Sequence, residues 1–299
     1  MDNSASGNKL VRVGVAHPAG PDGPLASDTD LQRITATVAK NIARMCELIG
    51  RAGAAGVDIL CLPEDVCNLA QIAARGEDEA CFRSAVQRSA APSMEALCGS
   101  AKASGMYVVG AAFLPDGDAI HNTAFLIGPD GRTVGQYHKT HLPPLEDRFL
   151  TEGTAYPVFE TPLGRIGMLV CWDLMFPETT RLLALNGAQL VFCPTLGFDF
   201  GGEHMGEMRI RVRAFDNALH IATATLASPK GDGTGRSCIV GPQGEILADT
   251  GHRPDHIVWT DLDPSQRSPD SAGSEPNICA DMWERWVQSR RPATYGGLA

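Results

Sequence analysis

A chain of 299 residues with 43% hydrophobic content has enough apolar material for one large α/β domain or two smaller ones. Its 35 acidic residues outnumber 25 basic ones, leaving a formal net charge of −10; this argues against a nucleic acid or an anionic membrane as partner, because either requires clustered Lys and Arg. No apolar run reaches the roughly 18 residues of a membrane span, and the opening MDNSASGNK lacks the apolar core of a secretion signal, so a frayed tail and a cytoplasmic location are expected.

In chain order, Lys9 to Ala16 reads as a strand. Asp30 to Gly53 reads as an amphipathic helix with Ile34, Val38, Ile42, Met45 and Ile49 at helical spacing. Gly56 to Leu62 returns as a strand, Asp78 to Gly105 contains helical material, and Tyr107 to Phe113 is again a strand. His121 to Ile127 and Thr133 to His138 form a hairpin turned by Gly128-Pro129-Asp130-Gly131; Gly241-Pro242-Gln243-Gly244 makes a similar turn between Ser237–Val240 and Glu245–Asp249. Crossovers mixed with hairpins predict mixed sheets in an α/β fold. No linker rich in Gly or Ser divides the chain, so the reading is a tail over 1–8, one domain over 9–264 and a C-terminal extension over 265–299.

The nine cysteines form no C-x-x-C pair and no Cys/His comb of zinc-site form, and an odd count in so long a chain is no disulfide framework. A reducing compartment follows, and no metal site is expected. Cys61, Cys193 and Cys238 lie in apolar strand-like runs and read as core, while Cys67 is close enough in sequence to Glu64 to line a pocket with it. The glycines of Gly231-Asp232-Gly233-Thr234-Gly235 lack a phosphate-loop lysine and read as a connection, so no nucleotide cofactor is implied.

Three segments carry chemistry. In GRIGMLVCWDLMFPETTR, the alternating Ile166, Met168 and Val170 form a short buried strand. It delivers Cys171 to the start of a helix whose first turn is Pro177-Glu178. A cysteine there is either an inert core residue or a nucleophile with backbone N–H groups nearby for an oxyanion, and a neighbouring positive charge favours its thiolate. In VDILCLPEDVCN a second apolar run ends at Pro63 and Glu64, a general base or a helix-cap carboxylate. In VGQYHKTHLPPLEDRFLTEG a third run ends at Lys139, a stabiliser of developing negative charge or a solvated loop charge.

Together these segments resemble the nitrilase superfamily, the carbon-nitrogen hydrolases: Glu64 in LPE, Lys139 in YHKTHLPP and Cys171 in CWDLMFPE stand in the order of that family's Glu-Lys-Cys triad. Glu146, seven residues before Gly153, matches its second glutamate. Arg213-Ala214-Phe215-Asp216-Asn217, the strand and turn from Gly235 to Glu245, and the terminal Arg290-Arg291-Pro292-Ala293-Thr294-Tyr295 resemble further family segments. The resemblance implies a four-layer αββα sandwich of two mixed β-sheets, and a homodimer or larger homo-oligomer to which the C-terminal extension contributes.

It also implies a metal-free, cofactor-free hydrolysis in which Glu64 deprotonates Cys171, the thiolate attacks, and Lys139 with the backbone N–H of Trp172 holds the oxyanion. Glu146 orients Lys139 or the substrate amide. Asp173 is read either as a fixer of the turn after the nucleophile or as part of the chemistry. CWD is more typical of amidases and carbamoylases than of nitrilases, so the expected substrate is a small linear amide or ureido compound. Alternatives are a nitrilase, an acyl-transferring member, and a non-catalytic binding or scaffold protein. TLGFDFGGEHMGE is read either as the specificity loop, with Thr195, Phe198 and Glu203 as substrate contacts, or as a flexible glycine entrance whose aromatic residues make dimer contacts.

Overall fold

A computed structural model describes residues 10–20, 29–73, 79–144, 146–197, 202–227, 235–267 and 282–296. Strand alternation sorts its core. In β1 (Val11–His17), β2 (Ile59–Cys61), β3 (Tyr107–Asp116), β4 (Ala119–Ile127) and β5 (Thr133–His138), one set of side chains faces a second sheet: Val13, Val15, Ile59, Cys61, Val109, Ala111, Ala124, Leu126 and Tyr137. The alternate set, including Leu60, Leu62, Val108, Phe125 and Ile127, faces helices α1 (Leu31–Ala54) and α3 (Glu79–Ser104), with the short α2 (Ala70–Ala73) between these helices in sequence.

The second half supplies β6 (Val158–Thr161), β7 (Gly164–Met168), α4 (Pro177–Leu185), β8 (Leu190–Pro194), α5 (Gly202–Asn217), β9 (His220–Ala224), β10 (Cys238–Val240) and β11 (Ile246–Asp249). Strand β12 (His256–Leu262) returns to the first sheet, and α6 (Met282–Ser289) follows. The two six-stranded sheets run β12-β1-β2-β3-β4-β5 and β6-β7-β8-β9-β10-β11. Each repeats one pattern in that order: an antiparallel pair, two parallel pairs, then two antiparallel pairs. With α1 and α3 outside one sheet and α4 and α5 outside the other, this is the expected four-layer sandwich.

The sequence elements map closely onto this frame. Asp30 caps α1, its side chain accepting from the Gln32 N–H at 2.9 Å, and Ile34, Val38, Ile42, Met45 and Ile49 are all buried. Pro177 opens α4, where its missing N–H costs no bond. Between β7 and α4 the structure inserts a 3₁₀ turn, Cys171–Met175, so Cys171 starts a tight turn rather than the helix itself. Beyond β12, α6 packs back on the chain: Arg181 lies over the Trp283 ring at 5.4 Å, and Phe215 meets Trp286 edge-on at 5.9 Å.

Candidate active site

The parallel strands at the centre of each sheet end close together. After β2 come Leu62, Pro63 and then Glu64; after β8, its counterpart in the other sheet, come Thr195 and Leu196. The backbone N–H of Leu196 donates to Glu64 Oε2 at 2.9 Å. Glu64 Oε1 accepts from Lys139 Nζ at 2.9 Å and from Asn122 Nδ2 at 2.8 Å. Lys139 Nζ also donates to both oxygens of Glu146, each at 2.9 Å, while Asn122 Nδ2 reaches Glu146 Oε2 at 3.3 Å.

Glu64 is 0% and Lys139 1% exposed. Desolvating such charges costs several kcal/mol per ion unless geometry and hydrogen bonds compensate. Here the three donors of the ammonium meet three carboxylate oxygens. Burial alone lowers the pKa of Lys139, but Glu64, Cys171 and Glu146 together outweigh it and hold the ammonium charged. Burial and the neighbouring Glu64 push Glu146 upward against the pull of Lys139 and Asn122.

Local backbone structure sets these positions. The Lys139 N–H donates to the Asn122 carbonyl at 2.9 Å, and the Lys139 carbonyl accepts from the Gly153 N–H at 2.8 Å. A Cβ at Gly153 would collide with the His138 carbonyl, so this close approach requires glycine. Glu146 sits in a turn in which its N–H donates to the Pro143 carbonyl at 2.8 Å.

Cys171 adopts φ 45°, the left-handed region that L side chains enter only under constraint. Asp173 supplies that constraint. This fully buried carboxylate accepts from the Val170 N–H at 3.0 Å and the Tyr137 hydroxyl at 2.7 Å through Oδ2. Through Oδ1 it accepts from the Thr140 hydroxyl at 3.1 Å and the His141 N–H at 3.0 Å. It therefore ties the cysteine turn to the loop that follows Lys139, which fits the turn-fixing one of its two readings.

The Cys171 thiol is pushed well above its ordinary pKa by burial and then by Glu64, with Lys139 and the Leu196 N–H pulling the other way. Lys139 does favour the thiolate, as expected of a neighbouring positive charge, but burial and Glu64 outweigh it. Two carboxylates flank one ammonium, so adding a thiolate would leave the cluster with a second net negative charge.

The other expected site residues divide. Trp172 is half-buried directly after Cys171. Thr195 is buried, but its hydroxyl donates back to the Cys193 carbonyl at 3.2 Å; the group its segment sends to Glu64 is the neighbouring backbone N–H. Phe198 lies outside the described residues, as does the side chain of Glu203. Cys67 does not line this site: it is buried toward α3, its thiol donating to the Ser93 hydroxyl at 3.5 Å, and burial raises its pKa to about 12. Cys61, Cys193 and Cys238 are buried core residues, as read from the sequence. Of the histidines flanking Lys139, His141 places Nδ1 3.0 Å from Asp173 and stacks on Phe176 at 3.9 Å, while His138 turns to the opposite face of its sheet, toward Thr123. Asn122 and the Leu196 N–H are the functional groups that the sequence reading missed.

The sequence profile described as carbon-nitrogen hydrolase matches residues 29–269, and the chain belongs to that family. It is 31% identical over 249 residues to omega-amidase NIT2 of Homo sapiens, covering 77% of this chain and 86% of that protein. To the Bos taurus omega-amidase NIT2 it is 30% identical over 246 residues, with the same coverage. Among solved structures, an amidase from the nitrilase superfamily, of Nesterenkonia AN1, superposes with a TM-score of 0.72 at 24% identity over 98% of both chains. A variant of it showing covalent addition of the acetamide moiety of fluoroacetamide at its active-site cysteine superposes equally well, also at 24% identity and 98% coverage of both chains.

Two outcomes follow from the network around the site. Replacing Asp173 by Ala leaves the buried Tyr137 hydroxyl and Val170 N–H without their acceptor. Each costs about 1–3 kcal/mol, so thermal or urea unfolding should show a loss of at least about 2 kcal/mol. Asp65, beside Glu64, is pushed up to about 7, first by burial and also by Glu64 and Glu146, against the N–H groups of Leu69 and Ala70. A carboxyl raised on folding stabilises the fold below its unfolded pKa, and that contribution is lost as pH rises through about 7. The melting temperature of Asp65→Asn should therefore gain on wild type between about pH 4.5 and about pH 8. A constant offset would mean that Asp65 stays ionised throughout.

Proposed function

We propose that this chain is a cysteine-dependent hydrolase of the non-peptide carbon-nitrogen bond in a small linear amide or N-carbamoyl compound, working through a thioester and releasing ammonia. The observation that carries this reading is the closed, buried network of Glu64, Lys139 and Glu146 around the turn that holds Cys171 in a left-handed backbone. Its relatives named omega-amidases favour an amide over a nitrile.

In this reading Cys171 rests as a thiol, because its surroundings disfavour a standing thiolate. Glu64 accepts the thiol proton as sulfur attacks the carbonyl carbon, so the negative charge passes to the carbonyl oxygen instead of remaining on sulfur. That oxyanion is held by the Lys139 ammonium and the Trp172 backbone N–H. Glu64 then gives its proton to the departing nitrogen, and the C–N bond breaks to leave the thioester and ammonia. Water attacks the thioester, Glu64 takes one of its protons, and the acid leaves as the Cys171 thiol re-forms. Asn122 and the Leu196 N–H hold Glu64 with one oxygen oriented to Lys139 and the other to the β8 side. Glu146 keeps Lys139 charged and aimed.

A scaffold role without catalysis gives no physical reason to retain a buried ionic cluster with this desolvation cost. Assembly into a homo-oligomer belongs to the same proposal. On α5, Met205, Met208, Val212 and Phe215 are 44%, 44%, 42% and 47% exposed and recur at helical spacing, forming an apolar stripe whose Phe215 end meets Trp286 of α6.

The chemistry is tested with small amides, N-carbamoyl amines, N-carbamoyl amino acids and nitriles, measuring ammonia and carbon dioxide together. Ammonia from amides alone identifies an amidase, ammonia with carbon dioxide a carbamoylase, and ammonia from nitriles alone contradicts the substrate class. Glu64→Gln should lose nearly all turnover while His141→Ala keeps much of it; comparable losses would remove Glu64 from its role as base. For assembly, light scattering should give a dimer or larger species for wild type and a smaller mass for the double variant Met208→Glu, Val212→Glu. A monomeric wild type would contradict the assembly.

A further inference from the structure

Strand alternation gives the segment that holds Lys139 and Asn122 a second face. On β4, Asn122 points toward Glu64, so His121 and Thr123 point to the opposite, helix-facing side. On β5, Lys139 follows His138, and His138 pairs in register with Thr123. The two imidazoles therefore meet on the outer face, stacked with ring centroids 4.2 Å apart. Asp116, at the end of β3, joins them: one donor atom from each of Asp116, His121 and His138 lies within 4.8 Å of the other two.

The hydrogen bonds behind the rings favour a bare Nε2 on each imidazole. His121 Nδ1 lies 2.7 Å from the Thr151 carbonyl, which can only accept, so Nδ1 bears the proton and Nε2 the lone pair. His138 Nδ1 lies 3.0 Å from the Thr123 hydroxyl, whose own proton is directed to the His121 carbonyl at 3.4 Å. That hydroxyl therefore accepts from His138 Nδ1–H, leaving its Nε2 basic as well. Donation from one ring nitrogen to a backbone carbonyl or a fixed neighbour, with the other nitrogen left bare, is how metal-binding histidines are held.

We propose that Asp116, His121 and His138 form a site for a borderline divalent transition-metal ion of the Zn²⁺ type, on the face of the sheet opposite Cys171. Two imidazoles and one carboxylate suit such an ion, whereas Mg²⁺ and Ca²⁺ prefer all-oxygen sites. Ligand bonds of about 2.0–2.1 Å place neighbouring donors about 3.3 Å apart around a tetrahedral ion. The exposed Asp116 has the freedom to close that gap. A cavity of about 380 Å³, lined by Ala90, Met94, Leu114, Asp116, Gln136 and His138, adjoins the site and leaves room for a water ligand. The backbone of the sheet separates the ion from the thiol, so it acts as a brace: ligation fastens β4 to β5 behind Asn122 and Lys139.

The test uses the full chain carrying Cys171→Ala, so that Zn²⁺ on the nucleophile is not mistaken for this site, and it is independent of the hydrolase proposal. After chelator treatment, calorimetric titration with Zn²⁺ should show one ion per chain and a rise in melting temperature, with no binding heat from Mg²⁺. Adding Asp116→Asn or His138→Gln should weaken binding at least about tenfold and abolish the thermal shift. Melting of each variant without metal reports whether it remains folded, and the exposed Asp116→Asn carries the test if His138→Gln does not. Absence of Zn²⁺ binding in Cys171→Ala, or unchanged affinity in folded Asp116→Asn, would overturn the site.

Discussion

The structure turns on one buried ammonium held between two carboxylates. Lys139 extends from the end of β5, Glu64 follows β2, and Glu146 comes from the turn beyond Lys139; none of these charges is worth burying without the other two. Asn122 and the Leu196 N–H complete the coordination of Glu64, so the cluster joins both sheets across the middle of the sandwich. Burial and then the Glu64 carboxylate of this cluster push the neighbouring Cys171 thiol well above its ordinary pKa, with Lys139 pulling the other way.

Asp173 does for the backbone what Lys139 does for the charges. By accepting from both the cysteine turn and the loop after β5, it makes the left-handed conformation of Cys171 and the position of Lys139 depend on one carboxylate. Alternation along β4 and β5 then gives each inward functional residue an outward neighbour, and so places His121 and His138 together on the far face. A one-residue slip of register would exchange the two sets.

Much of this was legible in the sequence where the information is local. The apolar spacing of Ile34, Val38, Ile42, Met45 and Ile49 marked α1, the Gly-Pro turns marked both hairpins, and Pro177 marked the start of α4. The order of Glu64, Lys139, Glu146 and Cys171 could be read through family resemblance. What escaped depends on register or on backbone. Asn122 is an ordinary strand amide until pairing shows which way it faces, and the Leu196 N–H has no side-chain signature at all. Thr195 attracted attention by position, yet its hydroxyl serves the Cys193 carbonyl. Cys67, close to Glu64 in sequence, turns into the helix layer. The thiol's raised pKa escaped because its largest cause is burial, which depends on how both sheets close over the turn.

The most direct test of the central claim is peptide mapping by mass spectrometry of the wild-type protein, acid-quenched within one turnover of a small linear amide. The account predicts the substrate's acyl mass as a thioester on the peptide containing Cys171, decaying as the acid appears. Turnover of the amide with Cys171 unmodified throughout, or the acyl group found on another cysteine, would contradict it.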